Sequence, residues 1–189
     1  MEKCKFSECP NKSRKLGYCD GHYWQHRKGK PMRPLNLTPA QRFEYRLDKS
    51  GECWIWTGST INSGYGQVWN GKTMQTVHRF AYELYKGPIP EGMHVDHKCH
   101  NKICCNPSHL NAVTPAQNSE NRSGAQVNSK SGIRGVIWHK DYGQWMACAR
   151  KGGENHYGGY YDSIEDAEKA AISLRNELFT NNLLDRKVS

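Results

Sequence analysis

Apolar positions fall into short blocks separated by polar or glycine-rich breaks, so the chain reads as several small units. Cys53-Trp54-Ile55-Trp56 alternates with the period of a strand, and Gly64-Tyr65-Gly66 marks a turn after it. Residues 77–85 carry a helical pattern closed by Gly87-Pro88. Upstream, Thr38 is an N-cap candidate for a helix predicted over 38–48, with Phe43, Tyr45 and Leu47 as its bulky residues. Beyond residue 131, strand patterns at 133–139, 144–150 and 155–161 precede a helix starting at Ser163. Asp166 lies three residues on, which resembles a capping box. Ile164, Ala167, Ala171, Leu174 and Leu178 form one stripe, the core face of that helix. The polar run 123–131, with Val127 as its single large apolar residue, is a linker.

Composition changes the picture. In a chain of 189 residues with 36% apolar content, modules this small bury little core and need other support. Eight cysteines and nine histidines make metal the first support to look for. No apolar run approaches the roughly 20 residues that span a bilayer, and Met1-Glu2-Lys3-Cys4 lacks a signal-peptide core. The expectation is a soluble cytoplasmic protein with no membrane partner, whose reduced thiols serve as ligands and not as disulfides. The net charge of +9 points to a polyanionic partner. Residues 1–50 hold twelve Lys/Arg against five Asp/Glu, leaving a net of only +2 for the other 139. A basic arm ahead of a nearly neutral body suits phosphate contact, although a solvated tail would look the same.

Cys4, Cys9, Cys19 and His22 have the spacing C-x4-C-x9-C-x2-H, which can close a tetrahedral zinc shell. A segment with almost no core would take its folding energy from that ion. His26 is an alternative fourth ligand, and Lys28, Lys30 and Arg33 follow within reach of phosphates.

In the run Val95-Asp96-His97-Lys98-Cys99-His100, continuing through Cys104-Cys105-Asn106-Pro107-Ser108-His109, the residues Cys99, Cys104 and His109 are spaced five apart. Three ligands need a fourth, and Cys53 is the best candidate; Cys105 breaks the rhythm. A closed shell of this kind is structural. Beside it, Asp96-His97 and Asn118 bring a carboxylate, an imidazole and a carboxamide near one turn. Phosphodiester hydrolysis needs a base for water and a Lewis acid for the leaving oxygen. His97 titrates in the right range for the base, and Asp96 and Asn118 offer hard oxygens suited to Mg²⁺. The alternative is a local shell of His97, Cys99, Cys104 and His109, which would leave no base. His94 and His100 match no motif position and are substrate-side or surface residues.

This segment resembles the HNH (His-Me finger, ββα-metal) endonucleases, especially phage-type homing endonucleases. The resemblance covers 53–118 and rests on Gly64-Tyr65-Gly66, Val77-His78-Arg79, Asp96-His97 and Asn118 in order. It implies His97 as general base, Asp96 and Asn118 as ligands of one catalytic Mg²⁺ (Mn²⁺ able to substitute) and Arg79 as a phosphate clamp. The motif's middle asparagine is replaced here by His109, as in the zinc-bound members of the group.

Ser131-Gly132-Ile133-Arg134-Gly135-Val136, with Trp138, Trp145 and Gly159-Tyr160-Tyr161-Asp162-Ser163, resembles the AP2 DNA-binding domain. That resemblance implies a three-stranded sheet in the major groove, backed by the helix. Alternation then turns Val136, Trp138, Trp145, Ala147, Ala149 and Tyr161 toward the helix. Ile137, His139, Met146, Cys148, Arg150, Asn155 and Tyr157 face outward. Arg134, His139, Arg150, Lys151, Asn155 and Tyr157 are the DNA-contact candidates.

The sequence thus predicts an α+β protein of small zinc-stabilised modules. They are a zinc knuckle (1–31), a basic linker and helix (32–50), an HNH nuclease domain (51–122), a linker (123–131) and an AP2-like domain (132–182). It predicts two structural zinc ions and a site-preferring, homing-type endonuclease acting on double-stranded DNA. The products would carry 5′-phosphate and 3′-hydroxyl ends, and nicking by a monomer is expected in a phage-type protein in the bacterial cytoplasm. The competing readings are a DNA-binding protein that keeps the fold without catalysis, and a nuclease of low specificity.

Overall fold

The computed structural model describes residues 2–7 and 9–187, and most of its elements are too short to stand alone. The first unit is held by the isolated bridges Lys3↔Lys12 and Lys15↔Tyr18 and by helix α1 (Asp20–Arg27). Its interior is Cys4, Cys9, Cys19 and His22, flanked by Phe6, Tyr18 and Leu35.

Helix α2 (Pro39–Glu44) starts with a reciprocal capping box between Thr38 and Gln41. It ends four residues before the pattern suggested. The cause is tertiary: Leu47–Asp48 forms strand β1, paired antiparallel with β2 (Ile55–Trp56). Phe43 is fully buried, stacked on Trp56 at 5.7 Å and edge-on to Phe80 at 5.1 Å. The helix read as part of a linker therefore packs in the central core.

Strands β3 (Gln67–Trp69) and β4 (Met74–Thr76) form a hairpin that runs into helix α3 (Val77–Lys86). A Cβ on Gly66 would lie 2.5 Å from Trp56 and 2.7 Å from Val77, so the hairpin approaches the core only with glycine there. Strands β5 (His94–His97) and β6 (Leu110–Val113) pair with His97 opposite Leu110 and Asp96 opposite Asn111. Helix α4 (Pro115–Glu120) follows, its start fixed by a second capping box, Thr114 with Gln117. Two strands and this helix frame the candidate site. Their core is Phe43, Trp56, Val68, Val77, Phe80, Val95 and Leu110 with Cys105.

The last unit is an antiparallel sheet in the order β7 (Val136–His139), β8 (Gln144–Lys151), β9 (Glu154–Tyr161), with helix α5 (Ile164–Leu178) across one face. Val136, Ala147, Ala167 and Ala171 form its core, with Trp145, Tyr161 and Ile164 packed against it. Trp138, expected under the helix, is 44% exposed. It lies near the end of the edge strand β7 and packs edge-on against Trp145 at 4.9 Å instead. No helix among the described residues is long and apolar enough to cross a membrane.

After α5 the chain turns back along the central unit. Arg175, almost buried, donates from Nε to Asp185 Oδ2 at 2.6 Å and from Nη1 to the Arg134 carbonyl at 2.5 Å. Burial alone would raise the Asp185 pKa, but the bond from Arg175 holds it below the usual carboxylate range. The pair therefore stabilises the fold above the unfolded carboxylate pKa. That stability fades as pH falls through the lower folded value. Asp185→Ala strands the buried guanidinium and should cost about 3 kcal/mol in urea unfolding; a loss within error would mean that water replaces the carboxylate.

Candidate active site

Cysteine and histidine side chains gather in two clusters, one in the first unit and one in the central unit. In the first, Cys9 Sγ lies 3.7 Å from Cys19 Sγ, and His22 Nδ1 lies 3.4 Å from Cys4 Sγ and 3.3 Å from Cys19 Sγ. In the second, His109 Nδ1 lies 3.5 Å from both Cys53 Sγ and Cys104 Sγ, and Cys99 completes the group. All four ligand atoms of each cluster lie within 4.8 Å of one another. Zn–S bonds of about 2.3 Å and Zn–N bonds of about 2.0–2.1 Å in a tetrahedron put ligand atoms about 3.5–3.8 Å apart. Both clusters therefore fit a structural metal ion such as zinc.

The surroundings agree with that fit. His22 Nε2 donates to the Arg33 carbonyl at 2.9 Å, which fixes the tautomer that presents Nδ1 to the cluster. Burial opposes ionisation of Cys4, but hydrogen bonds, first from the Cys19 N–H, bring its pKa down to about 7. Burial pushes Cys104 up to about 12. Burial likewise raises Cys9 and Cys53, and a divalent cation would offset that cost by taking such thiols together as thiolates. His26 is outside the first cluster and stacks on Tyr18 at 5.1 Å. Cys105 is outside the second, fully buried in the core.

Cys53 reaches its cluster because β2 is laid along the ligand loop. The Trp56 N–H donates to the Ile103 carbonyl at 2.9 Å, and the Cys105 N–H to the Trp54 carbonyl at 2.7 Å. The same loop serves His97, which is not among the cluster's ligands. His97 Nε2 lies 3.1 Å from the Cys104 carbonyl. A carbonyl only accepts, so Nε2 carries the proton and Nδ1 keeps its lone pair. The imidazole is 5% exposed, and burial lowers its pKa while the Cys104 carbonyl and Asp96 push the other way.

His97, Asp96 and Asn118 line one open cavity of about 490 Å³. Asp96 Oδ1 accepts from the His97 N–H at 2.8 Å. Its Oδ2 accepts from Asn121 Nδ2 at 2.7 Å and from Asn181 Nδ2 at 3.2 Å. A carboxylate has about four acceptor positions, so one on Oδ1 is left for a cation. Asn118 Nδ2 lies 3.3 Å from His94 Nδ1, an amide donor to an imidazole acceptor, which leaves the amide oxygen as a possible ligand. The donor set is hard oxygen and suits Mg²⁺.

Other residues here carried no assigned role in the sequence reading. His78, buried and 4.8 Å from His97 between ring centroids, has a pKa of about 3, lowered first by burial. Burial thus favours the neutral form of His78 beside His97. Tyr65, Lys102 and Arg122 line the cavity, and Lys102 sits 5.4 Å above the Tyr65 ring. Arg79 is not among the lining residues; it is half-buried on the first turn of α3 next to His78.

Among the candidate DNA contacts, His139 is half-buried, and Arg150, Asn155 and Tyr157 are exposed on the sheet. Two others are engaged inside the molecule. Arg134 donates to the Arg122 carbonyl at 2.7 Å and to the Glu120 carbonyl at 2.9 Å, and Lys151 Nζ donates to the Leu178 carbonyl at the end of α5. Carbonyls at helix ends attract cations as phosphates do.

Residues 75–120 match the family model described as HNH endonuclease. The chain is 44% identical over 70 residues to Protein 2.8 of Escherichia phage T7, covering 37% of this chain and 48% of the relative. It is 44% identical over 69 residues to Protein 7.7 of the same phage, covering 36% and 53%. To the HNH endonuclease L560 of Acanthamoeba polyphaga mimivirus it is 34% identical over 118 residues, covering 62% and 59%. The chain thus spans about half the length of these relatives. No solved structure matches it significantly. The match to the HNH endonuclease family thus falls on the central unit, and the two Cys3His clusters, one in the first unit and one in the central unit, are the metal-binding candidates.

With one ion per cluster, elemental analysis should find two zinc ions per chain. Cys53→Ser should remove one of them and lower the melting temperature. Retention of both would take Cys53 out of the shell.

Proposed function

We propose that the protein is a site-preferring, homing-type DNA endonuclease with His97 as general base. The observation that carries this reading is the freedom of His97 from the second cluster: its Nε2 is tied to a carbonyl and its Nδ1 is available. Water in the cavity gives its proton to Nδ1 and attacks the phosphorus, and the 3′ oxygen leaves with the electron pair of its broken bond to phosphorus and takes a proton from solvent. The products carry a 5′-phosphate and a 3′-hydroxyl. Asp96 and Asn118 would hold Mg²⁺, or Mn²⁺ in its place, which when bound supplies Lewis-acid stabilisation to the leaving oxygen. Lys102 and Arg122 offer positive charge within the cavity to the phosphate, and Arg79, on the turn that carries His78, is a further phosphate contact.

The rest of the chain holds the duplex. The basic first unit, with Lys28, Lys30 and Arg33, supplies counterion-releasing contacts to the backbone. The outer sheet face, through His139, Arg150, Asn155 and Tyr157, lies against the duplex in the manner of an AP2 domain. Arg134 and Lys151 are already tied to carbonyls, so they reach phosphate with their remaining N–H donors. One finger holds one active site, so the protein acts as a monomer that nicks double-stranded DNA in the cytoplasm of a phage-infected host.

Plasmid nicking in Mg²⁺ should fall by at least about 10² in His97→Ala, with zinc content unchanged; a variant that still nicks would remove His97 as base. The base must be neutral, and burial lowers its pKa. The pH profile of kcat/KM should therefore hold below the roughly 6.5 of a free imidazole before it falls. A fall centred above that value would point to another base.

A further inference from the structure

The last described segment of the chain reaches the candidate metal ligand. Asn181 is 8% exposed. Its side-chain amide donates to Asp96 Oδ2 at 3.2 Å and to the Gln117 carbonyl at 3.1 Å. Its backbone N–H donates to Glu120 Oε2 at 3.0 Å, which also accepts from the Thr180 N–H at 2.8 Å and the Thr180 hydroxyl at 3.1 Å. The second amide on Asp96, from Asn121, is set by the same segment, because the Leu183 N–H donates to Asn121 Oδ1 at 3.1 Å.

We infer that Asn181 is a positioning residue that holds Asp96 ready to bind metal through Oδ1, so the central site is complete only with the segment after α5 docked on α4. This inference rests on the reading of Asp96 as a metal ligand. The chemistry is specific. An amide N–H is a donor only, so on Oδ2 Asn181 favours the ionised carboxylate and cannot itself ligate a cation through that nitrogen. With Asn121 it occupies Oδ2 and fixes the plane of the carboxylate, leaving Oδ1 as the free ligand position. Partners that orient a ligand in this way typically govern metal affinity as strongly as a change in the ligand's own surroundings. The segment is anchored from the far side by Arg175 and Asp185, so the contact does not depend on Asn181 alone.

The test is a Mn²⁺ titration of the zinc-loaded full-length chain followed by electron paramagnetic resonance, which reads the site without turnover. In Asn181→Ala, the Kd for Mn²⁺ should rise about 10–100-fold. The metal needed for nicking should rise in step, and kcat should recover at saturating metal. Glu120→Ala releases the segment without touching Asp96 and should shift the Kd in the same direction; it decides the matter if Asn181→Ala does not fold. An unchanged Kd in a folded variant overturns the role of Asn181 and leaves the nuclease reading standing. If Asp96→Ala and Asn118→Ala also leave the Kd unchanged, the metal site itself is wrong and both fall.

Discussion

The carbonyl of Cys104 accepts from His97 while the sulfur of the same residue belongs to the second metal cluster. One short loop thereby sets both a structural site and the tautomer of the candidate base. The backbone bonds that bring β2 alongside this loop also deliver Cys53, so strand, cluster and imidazole share one alignment. A core built mainly from Phe43, Trp56, Val77, Phe80 and Leu110 is too small to hold a loop of this irregularity by packing alone. A metal ion held at those ligands would supply the missing rigidity.

The same economy governs the approach of the last unit to the central one. The two meet through hydrogen bonds from Arg134, Thr180 and Asn181 to the end of α4 and the Glu120 carboxylate. Polar contacts of this kind are directional and place side chains accurately. They bury little apolar area, so the join is more readily altered than a core.

Much of this was legible in the sequence where the determinants were local. The spacings of Cys4, Cys9, Cys19 and His22, and of Cys99, Cys104 and His109, follow from how few residues can separate ligands on one loop. Cys53 was accessible by counting, since a shell of three needs a fourth. Helices α3 and α5 carried their stripes plainly. Helix α2 was overrun because its end is set by a strand pairing that has no local signal. The acceptor of His97 was not legible at all: it is a main-chain carbonyl, and any residue type would provide one. Asn121 and Asn181 were missed for a related reason, since an asparagine in a polar stretch reads as a turn residue unless its distant partner is known. Arg134 and Lys151 looked like phosphate contacts because carbonyls at helix ends offer cations a similar partner.

The positions of the ligands along the chain also order its birth. The first cluster has its last ligand at His22 and that ligand's carbonyl partner at Arg33, so it can close while most of the protein is still unmade. The second waits for His109, although Cys53 has emerged 56 residues earlier. Asp96 receives its contact from Asn181 only after another 85 residues have followed it. Because synthesis runs from the N-terminus and early units fold first, a nascent chain acquires its basic arm, then its finger, and last the segment that steadies the acidic ligand. A product interrupted before residue 181 would hold the ligands of both clusters yet leave Asp96 without its second amide partner.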